Sequence, residues 1–312
     1  MTAARRAFAS LALTCVGALA YAAAVEVRWF TLRRFTVPVL APGQKPLRIL
    51  HLSDLHLTPA QRRKVEWVRS LAELDPHLVI DTGDNIAHPD AVPALLEAFE
   101  PLLARPGAFV MGSNDYYAPV AKNPARYLYD DSREPHKHQR QLPFEEMTAA
   151  FRDAGWRDLA NRRDDVVADG RRIALVGVDD AHLDRDRFPV STRGGHTGAA
   201  QAGFDLRLGV THAPYQRVLR AMYSDGSDLI LAGHTHGGQL CVPGWGALVT
   251  NCDLDAGRAK GLHGWPGPRP DEAGGEDSTW LHVSAGLGTS PFAPVRFACR
   301  PEASLLTLVA RA

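Results

Sequence analysis

Side chains that can bind metal ions follow five short apolar runs of the chain. Each run ends in carboxylate, amide or imidazole groups, with glycines nearby that allow sharp turns. The residues that end the five runs are Asp54 and His56, Asp84, Asn114 and Asp115, His212, and His234 and His236. Residues two apart in an extended chain point to the same side, so the first and last pairs can each aim two ligands at one point. We therefore expect these segments to form one polar site.

The chemistry of this donor set favours a pair of divalent metal ions. The oxygen and nitrogen donors are more than one ion needs, and no thiolate is among them, which suits Mn²⁺, Fe²⁺/³⁺ or Zn²⁺ better than a structural zinc site. Two ions ~3.5–4 Å apart can share one carboxylate and clamp the attacking and leaving oxygens of a displacement at phosphorus. We expect Asp84 to be the shared carboxylate, because Gly83 before it permits a close approach.

The surrounding pattern predicts an α/β protein with layered sheets. Apolar runs such as Leu47–Ser53 predict strands, whereas "QRRKVEWVRSLAEL" has apolar residues at helical spacing. A hairpin is predicted to turn at Asp169-Gly170, and a second hairpin is predicted within "VRFACRPEASLLTLVA". In open α/β sheets ligands bind beyond the carboxyl ends of the strands, where the polar residues above are located.

The N-terminus is expected to lie outside the catalytic domain. Residues 7–25 carry no charge, and a helix rising ~1.5 Å per residue over that length would reach roughly across the hydrocarbon core of a bilayer. We predict that residues 1–25 form a single-pass anchor in the cell membrane, with the catalytic domain on the extracytoplasmic side. The arginines on both flanks barely separate the two orientations. A cleaved signal peptide is the alternative, because Ala18-Leu19-Ala20 fits a cleavage site.

Two segments are predicted after this anchor, the second with an insertion. Residues 26–46 contain three prolines and are predicted to be a linker, and residues 47–312 are predicted to be the catalytic domain. A polar, proline-containing surface insertion is expected at about residues 118–141. The chain has 35 basic and 35 acidic residues, which argues against a broad basic face for a nucleic-acid partner.

The five blocks together resemble the calcineurin-like metallophosphoesterase family. They read D-x-H, G-D-N, G-S-N-D, H-A-P and G-H-T-H, in the order of the family, and "GHTHGGQ" with a late "SAGLGTS" resembles its membrane-anchored bacterial variety. The resemblance implies a four-layer αββα sandwich of two mixed sheets flanked by helices, with a binuclear metal site at the sheet edges. It also implies that Asp54, His56, Asp84 and His236 bind the first metal. The second metal is then bound by Asp84, Asn114, His212 and His234.

One block departs from the pattern of the family. Such proteins usually show G-N-H-D or G-N-H-E, in which the asparagine binds metal and the histidine stabilises the leaving group. Here Ser113 and Asn114 stand at those two places. Either Ser113 takes the ligand position, or a local shift lets Asn114 coordinate; we favour Asn114, because an amide carbonyl is a better neutral donor than a hydroxyl. We also expect Asn114 and Asp115 to contribute to catalysis.

The missing histidine leaves the protonation of a poor leaving group without an assigned residue. The residues that could supply this contact are His51, His88, His182, Tyr116 and Tyr117. We predict a metal-dependent hydrolase in which a hydroxide that bridges the two metals attacks a phosphoester. A phosphodiester is favoured because of the missing histidine, and a lipid-linked phosphate would fit the anchor. The alternatives are a phosphomonoesterase or protein phosphatase on the same site, and a metal-binding scaffold without activity.

Overall fold

The computed structural model describes residues 3–121, 139–190 and 203–311. Most of the insertion predicted at about residues 118–141 lies outside the described residues. In chain order the strands are β1 (Thr31–Leu40), β2 (Leu47–Leu52), β3 (Leu78–Asp81), β4 (Gly107–Phe109), β5 (Arg157–Asp158), β6 (Arg162–Ala168), β7 (Arg171–Gly177), β8 (Leu206–Thr211), β9 (Leu229–Ala232), β10 (Cys241–Val242), β11 (Gly246–Ala247), β12 (Gly261–Trp265), β13 (Thr279–Val283) and β14 (Glu302–Ala310). The α-helices are α1 (Ala3–Ala20), α2 (Arg62–Ser70), α3 (Val92–Leu103), α4 (Ser113–Tyr116), α5 (Phe144–Asp153) and α6 (Gln216–Ser224).

Two six-stranded sheets form the framework of the described chain. The first has the order β1-β14-β2-β3-β4-β5, and the second has the order β12-β13-β9-β8-β7-β6. Strands β2 to β5 are mutually parallel, as are β7, β8, β9 and β13. The carboxyl ends of these strands therefore meet along one edge of each sheet. The hairpin predicted at Asp169-Gly170 is confirmed, because β6 and β7 pair antiparallel on either side of it.

Apolar side chains stack the sheets and helices into four layers. Leu50 and Val79 of the first sheet pack with Phe99 of α3 and Phe151 of α5 on its outer face. The inner face of that sheet packs against the inner face of the second sheet in a continuous core. Helix α6 covers the outer face of the second sheet through residues such as Leu219. The predicted αββα arrangement of two mixed sheets with flanking helices is thus confirmed.

The linker prediction is wrong for residues 31–40, which form strand β1. This strand lies at the edge of the first sheet and pairs parallel with β14, with one irregularity between Pro38 and Leu40. An edge strand tolerates proline, because the missing N–H can face the open side of the sheet, and Pro38 lies within β1. The prolines that suggested a linker therefore mark an edge strand and the turn that follows it.

The hairpin predicted near the C-terminus is also wrong. Only β14 forms there, and it inserts between β1 and β2, which supply a neighbour on each side. Ala298 has a left-handed φ of 52°, and Pro301 cannot donate to a ladder, so the preceding segment does not continue as a strand.

Helix α1 occupies the segment predicted to cross the membrane. Among the described residues, none of the helices combines the length and the apolar character that a membrane span requires, so the predicted anchor is not supported. The residue directly after this segment contacts the domain. The Glu26 carboxylate accepts hydrogen bonds from the backbone N–H groups of Ala298 and Cys299, at 3.1 and 2.6 Å.

Candidate metal centre

The backbone around the predicted ligands is left-handed at five of them. The φ angles are 50° at Asp54, 43° at His56, 58° at Asp84, 71° at His234 and 49° at His236. The sequence argument assumed that the pairs Asp54/His56 and His234/His236 converge because the chain is extended there. The backbone is not extended at these residues, so that assumption is wrong. Positive φ is uncommon for residues other than glycine and costs about 1–3 kcal/mol per residue, so the surrounding contacts must hold these conformations.

Hydrogen bonds between loops hold this backbone in place. The N–H of Asp54 donates to the carbonyl of Gly83 at 2.8 Å, and the N–H of His56 donates to that of Asp84 at 2.9 Å. The loop after β2 is thus joined to the loop after β3. Glycine is required at position 112, in the loop after β4, because a Cβ there would lie 2.2 Å from Asp84 Oδ1 in the loop after β3. Gly83 also has a φ of 86°, in line with the close approach expected there.

Four of the predicted ligands form a compact first group. One ligand atom each of Asp54, His56, Asp84 and His236 lies within 4.8 Å of the others, which is close enough for a single ion. His56 Nε2 is 3.3 Å from His236 Nε2 and 3.4 Å from Asp84 Oδ2. His236 Nε2 is 3.6 Å from Asp54 Oδ1.

A second group lies on the other side of Asp84. His212 Nε2 is 3.3 Å from His234 Nδ1 and 3.7 Å from Asp84 Oδ2. Asn114 donates to Asp84 twice, from its backbone N–H to Oδ1 and from its side-chain amide to Oδ2, each at 2.7 Å. The Asp84 carboxylate therefore contacts both groups, which is the position expected of a carboxylate shared by two ions.

Backbone carbonyls orient three of the imidazoles. His212 Nδ1 lies 2.7 Å from the carbonyl of Thr82, His234 Nε2 lies 3.0 Å from that of Asn251, and His236 Nδ1 lies 3.1 Å from that of Gly288. A carbonyl only accepts, so we assign the hydrogen of each ring to the contacting nitrogen; the longer 3.3 Å contact of His236 Nδ1 with Arg296 Nη2 is then not a hydrogen bond. The remaining nitrogens, His212 Nε2, His234 Nδ1 and His236 Nε2, then face the site as acceptors. Such support of the second ring nitrogen is typical of metal-binding histidines.

One buried carboxylate oxygen of the site has no hydrogen-bond partner, and it fits a bound cation. It is Asp54 Oδ1, in the first group of ligands. A buried carboxylate oxygen without a donor is costly, and a metal ion would satisfy it. His212 Nε2 and His234 Nδ1 also face each other as acceptors, which requires a positive charge between them. The residues present therefore fit two cations.

The charges of the site match this interpretation. Burial lowers the pKa of His56 to about 4, and burial also lowers the pKa of His236, so both rings are neutral near pH 7. Burial opposes the charge of Asp84, but His212, His56 and the hydrogen bonds from Asn114 outweigh it and lower its pKa. Burial likewise opposes a proton on His212, but carboxylates, chiefly Asp84, raise its pKa to about 9. In the absence of ions, that proton supplies the positive charge that the site requires.

The contacts of Asp115 do not support the predicted catalytic role. Its Oδ2 accepts from the backbone N–H groups of Asp84 and Gly112 at 2.8 and 2.9 Å, and its Oδ1 accepts from that of Asn85 at 2.7 Å. The side chain is fully buried and does not line the cavity. Asp115 therefore holds the loops of Asp84 and Gly112 together. Of the two alternatives in this block, Asn114 contacts Asp84 directly.

Arg296 was missed by the sequence argument. Its side chain is fully buried and donates to the carbonyls of Ala285, Gly286 and Gly288, at 2.7, 3.1 and 2.7 Å. It also donates to the carbonyl of His236 at 3.4 Å. The Arg296 side chain thereby fixes the loop after β13 against His236. An arginine in a loop carries no sequence signal of burial, because that residue type is usually exposed.

A cavity of about 630 Å³ opens in front of both groups. Its polar lining residues include Asp84, Asn114, His182, His234 and His236. Apolar side chains form much of the remaining lining. The larger apolar side chains on it are Val120, Leu240, Leu248, Val249, Phe292 and Val295.

Comparisons with known proteins identify the family of the chain. The family model for the calcineurin-like phosphoesterases matches residues 47–238, which is more than half of the chain. A Bacillus subtilis relative, the uncharacterized protein YpbG, is 30% identical over 64% of this chain and 64% of its own length, just under two thirds. Phosphodiesterase YaeI of Escherichia coli is 25% identical over 91% of this chain and 90% of its own. Among solved structures, a 5′-nucleotidase precursor of Thermus thermophilus aligns with a TM-score of 0.43 and 14% identity, over 84% of this chain and 55% of its own.

Proposed function

This chain belongs to the calcineurin-like phosphoesterase family of metal-dependent hydrolases, and we propose that the cluster around Asp84 binds two divalent metal ions and hydrolyses a phosphodiester. The observation that carries the proposal is the position of Asp84, whose carboxylate lies 3.4 Å from His56 Nε2 in the first group and 3.7 Å from His212 Nε2 in the second. The protein acts on phosphoester bonds.

Each ion would be held by four side chains. Asp54, His56, Asp84 and His236 would hold the first ion, and Asp84, Asn114, His212 and His234 would hold the second. When bound, the ions supply Lewis acidity, which activates water and polarises the phosphoryl oxygens. The protein contributes the negative charge of Asp84 between them, and the backbone carbonyls keep the imidazole lone pairs directed at the site.

The cavity supports a substrate with an apolar substituent. Leu240, Leu248 and Phe292 line it and are 49, 56 and 58% exposed, so they offer apolar surface that the protein itself does not cover. A diester with an alkyl group, including a lipid-linked phosphate, would place its phosphate at the polar side and its chain on the apolar side. The E. coli relative named as a phosphodiesterase gives additional support for a diester.

A small panel of substrates tests the proposed function. The purified protein with Mn²⁺ is expected to hydrolyse bis(p-nitrophenyl) phosphate faster than p-nitrophenyl phosphate. A chelator should abolish turnover, and added Mn²⁺ should restore it. Faster turnover of the monoester would favour a phosphomonoesterase. Binding of metal without hydrolysis of either ester would favour a scaffold without activity.

The apolar side of the cavity gives a separate prediction. In the double variant Leu248→Ser, Phe292→Ser, kcat/KM for p-nitrophenyl octyl phosphate is expected to fall about tenfold relative to p-nitrophenyl methyl phosphate, since each buried CH₂ contributes about 0.8 kcal/mol. Steady-state kinetics with both esters measures this ratio. Val167→Ser is a matched control, because Val167 is 57% exposed on β6 and does not line the cavity. An unchanged ratio in the double variant would exclude alkyl binding at this wall.

A further inference from the structure

The histidine that usually follows the asparagine ligand is missing from "GSND", so the contact with the leaving group has no assigned residue. The five residues that could do so have different surroundings. His51 is fully buried and bonds with His282 and Thr82, and the side chain of His88 is 46% exposed. The Tyr116 hydroxyl donates to Asp179 at 2.8 Å. Of the five, only His182 lines the described part of the cavity.

His182 stands at the same sheet edge as the candidate metal ligands. It follows β7, which lies beside β8 in the second sheet, and β8 leads directly to His212. The ring centroid of His182 is 4.7 Å from that of His234. Its side chain therefore reaches the cavity beside the second group of ligands.

Two hydrogen bonds set the orientation of this ring. The backbone N–H of His182 donates to Asp180 Oδ1 at 2.9 Å, which fixes the turn after β7. His182 Nδ1 lies 3.1 Å from the Tyr215 hydroxyl. When Tyr215 donates to Nδ1, the hydrogen of the neutral ring is on Nε2, and His182 can donate to a bound substrate. The residue is 7% exposed, so this hydrogen bond would form largely away from bulk water.

We infer that His182 replaces the missing histidine, by donating a hydrogen bond from Nε2–H to the leaving oxygen of the substrate. This inference rests on the proposed hydrolysis of a phosphodiester. As the P–O bond breaks, negative charge develops on the leaving oxygen, and a donor placed there stabilises it. Such a contact matters most for an alkoxide and least for p-nitrophenolate, which carries the charge well without help.

The dependence on the leaving group tests this assignment. In His182→Ala, kcat/KM for a dialkyl phosphate is expected to fall about 100-fold, and that for bis(p-nitrophenyl) phosphate by less than about threefold. The metal content is expected to equal that of the wild type. His88→Ala is the control and is expected to match the wild type with both esters. An equal loss with both esters, or a loss of metal, would overturn the inference.

A second variant covers the case in which His182→Ala does not fold. Tyr215→Phe keeps the His182 ring but removes the hydroxyl beside Nδ1, and a smaller loss confined to the dialkyl ester is expected. Equal effects on both esters in this variant would again contradict the role of His182. If the wild type hydrolyses neither ester, the proposed function fails, and that result is distinct from either outcome for His182.

Discussion

Asp84→Asn is expected to lower kcat/KM for bis(p-nitrophenyl) phosphate by about 10³-fold, which corresponds to about 4 kcal/mol of transition-state stabilisation. The substitution keeps the shape of the side chain and a carbonyl acceptor. It removes the negative charge that lies 3.4 Å from His56 Nε2 and 3.7 Å from His212 Nε2. An amide has only one oxygen to donate, so it cannot serve two cations as a carboxylate does.

Metal content separates this explanation from a general loss of structure. Asp84→Asn should bind fewer ions per chain than the wild type, measured by elemental analysis, while circular dichroism stays unchanged. Asp90→Asn is the matched control, because the Asp90 side chain is 82% exposed and contacts His88, which is not one of the proposed ligands. Near-normal hydrolysis by Asp84→Asn would refute the bridging role.

Arg296→Met is expected to lower the free energy of unfolding by about 3–5 kcal/mol. The guanidinium also donates to the backbone carbonyl of Cys299 at 3.3 Å, so it donates to five backbone carbonyls in all. Methionine has similar length but no donor, so these carbonyls would be left buried without partners. The midpoint of urea unfolding at an unchanged m-value measures the effect.

A matched control and a metal titration complete this test. Arg63→Met changes an exposed arginine on α2 and should shift the midpoint little. Because Arg296 fixes the loop that holds the His236 ring, Arg296→Met should also weaken Mn²⁺ binding by about 10–100-fold. A loss of unfolding free energy below about 1 kcal/mol would show that the carbonyls find other partners.

The sequence predicted which residues lie close together, but it did not predict the backbone conformation that brings them together. Apolar runs followed by polar residues identified the strand ends correctly, because parallel strands expose their carboxyl ends at a common edge. The convergence of Asp54 and His56 nevertheless depends on left-handed backbone conformations, which single-residue patterns do not reveal. The family resemblance is confirmed by the match over residues 47–238.

Other features depend on tertiary contacts that leave no local signal. Strand β1 was missed because its proline suggested a linker, whereas its place at the sheet edge makes that proline acceptable. Asp115 was predicted to be catalytic from its place in the motif, but its oxygens accept three backbone hydrogen bonds. The role of Arg296 follows only from the loops that fold over it.

The most direct test of the account is the anomalous diffraction of crystals grown with Mn²⁺. Two peaks about 3.5–4 Å apart are expected, one on each side of the Asp84 carboxylate. The first should lie among Asp54, His56 and His236, and the second among Asn114, His212 and His234. A single peak, or two peaks that do not share Asp84, would contradict the binuclear centre.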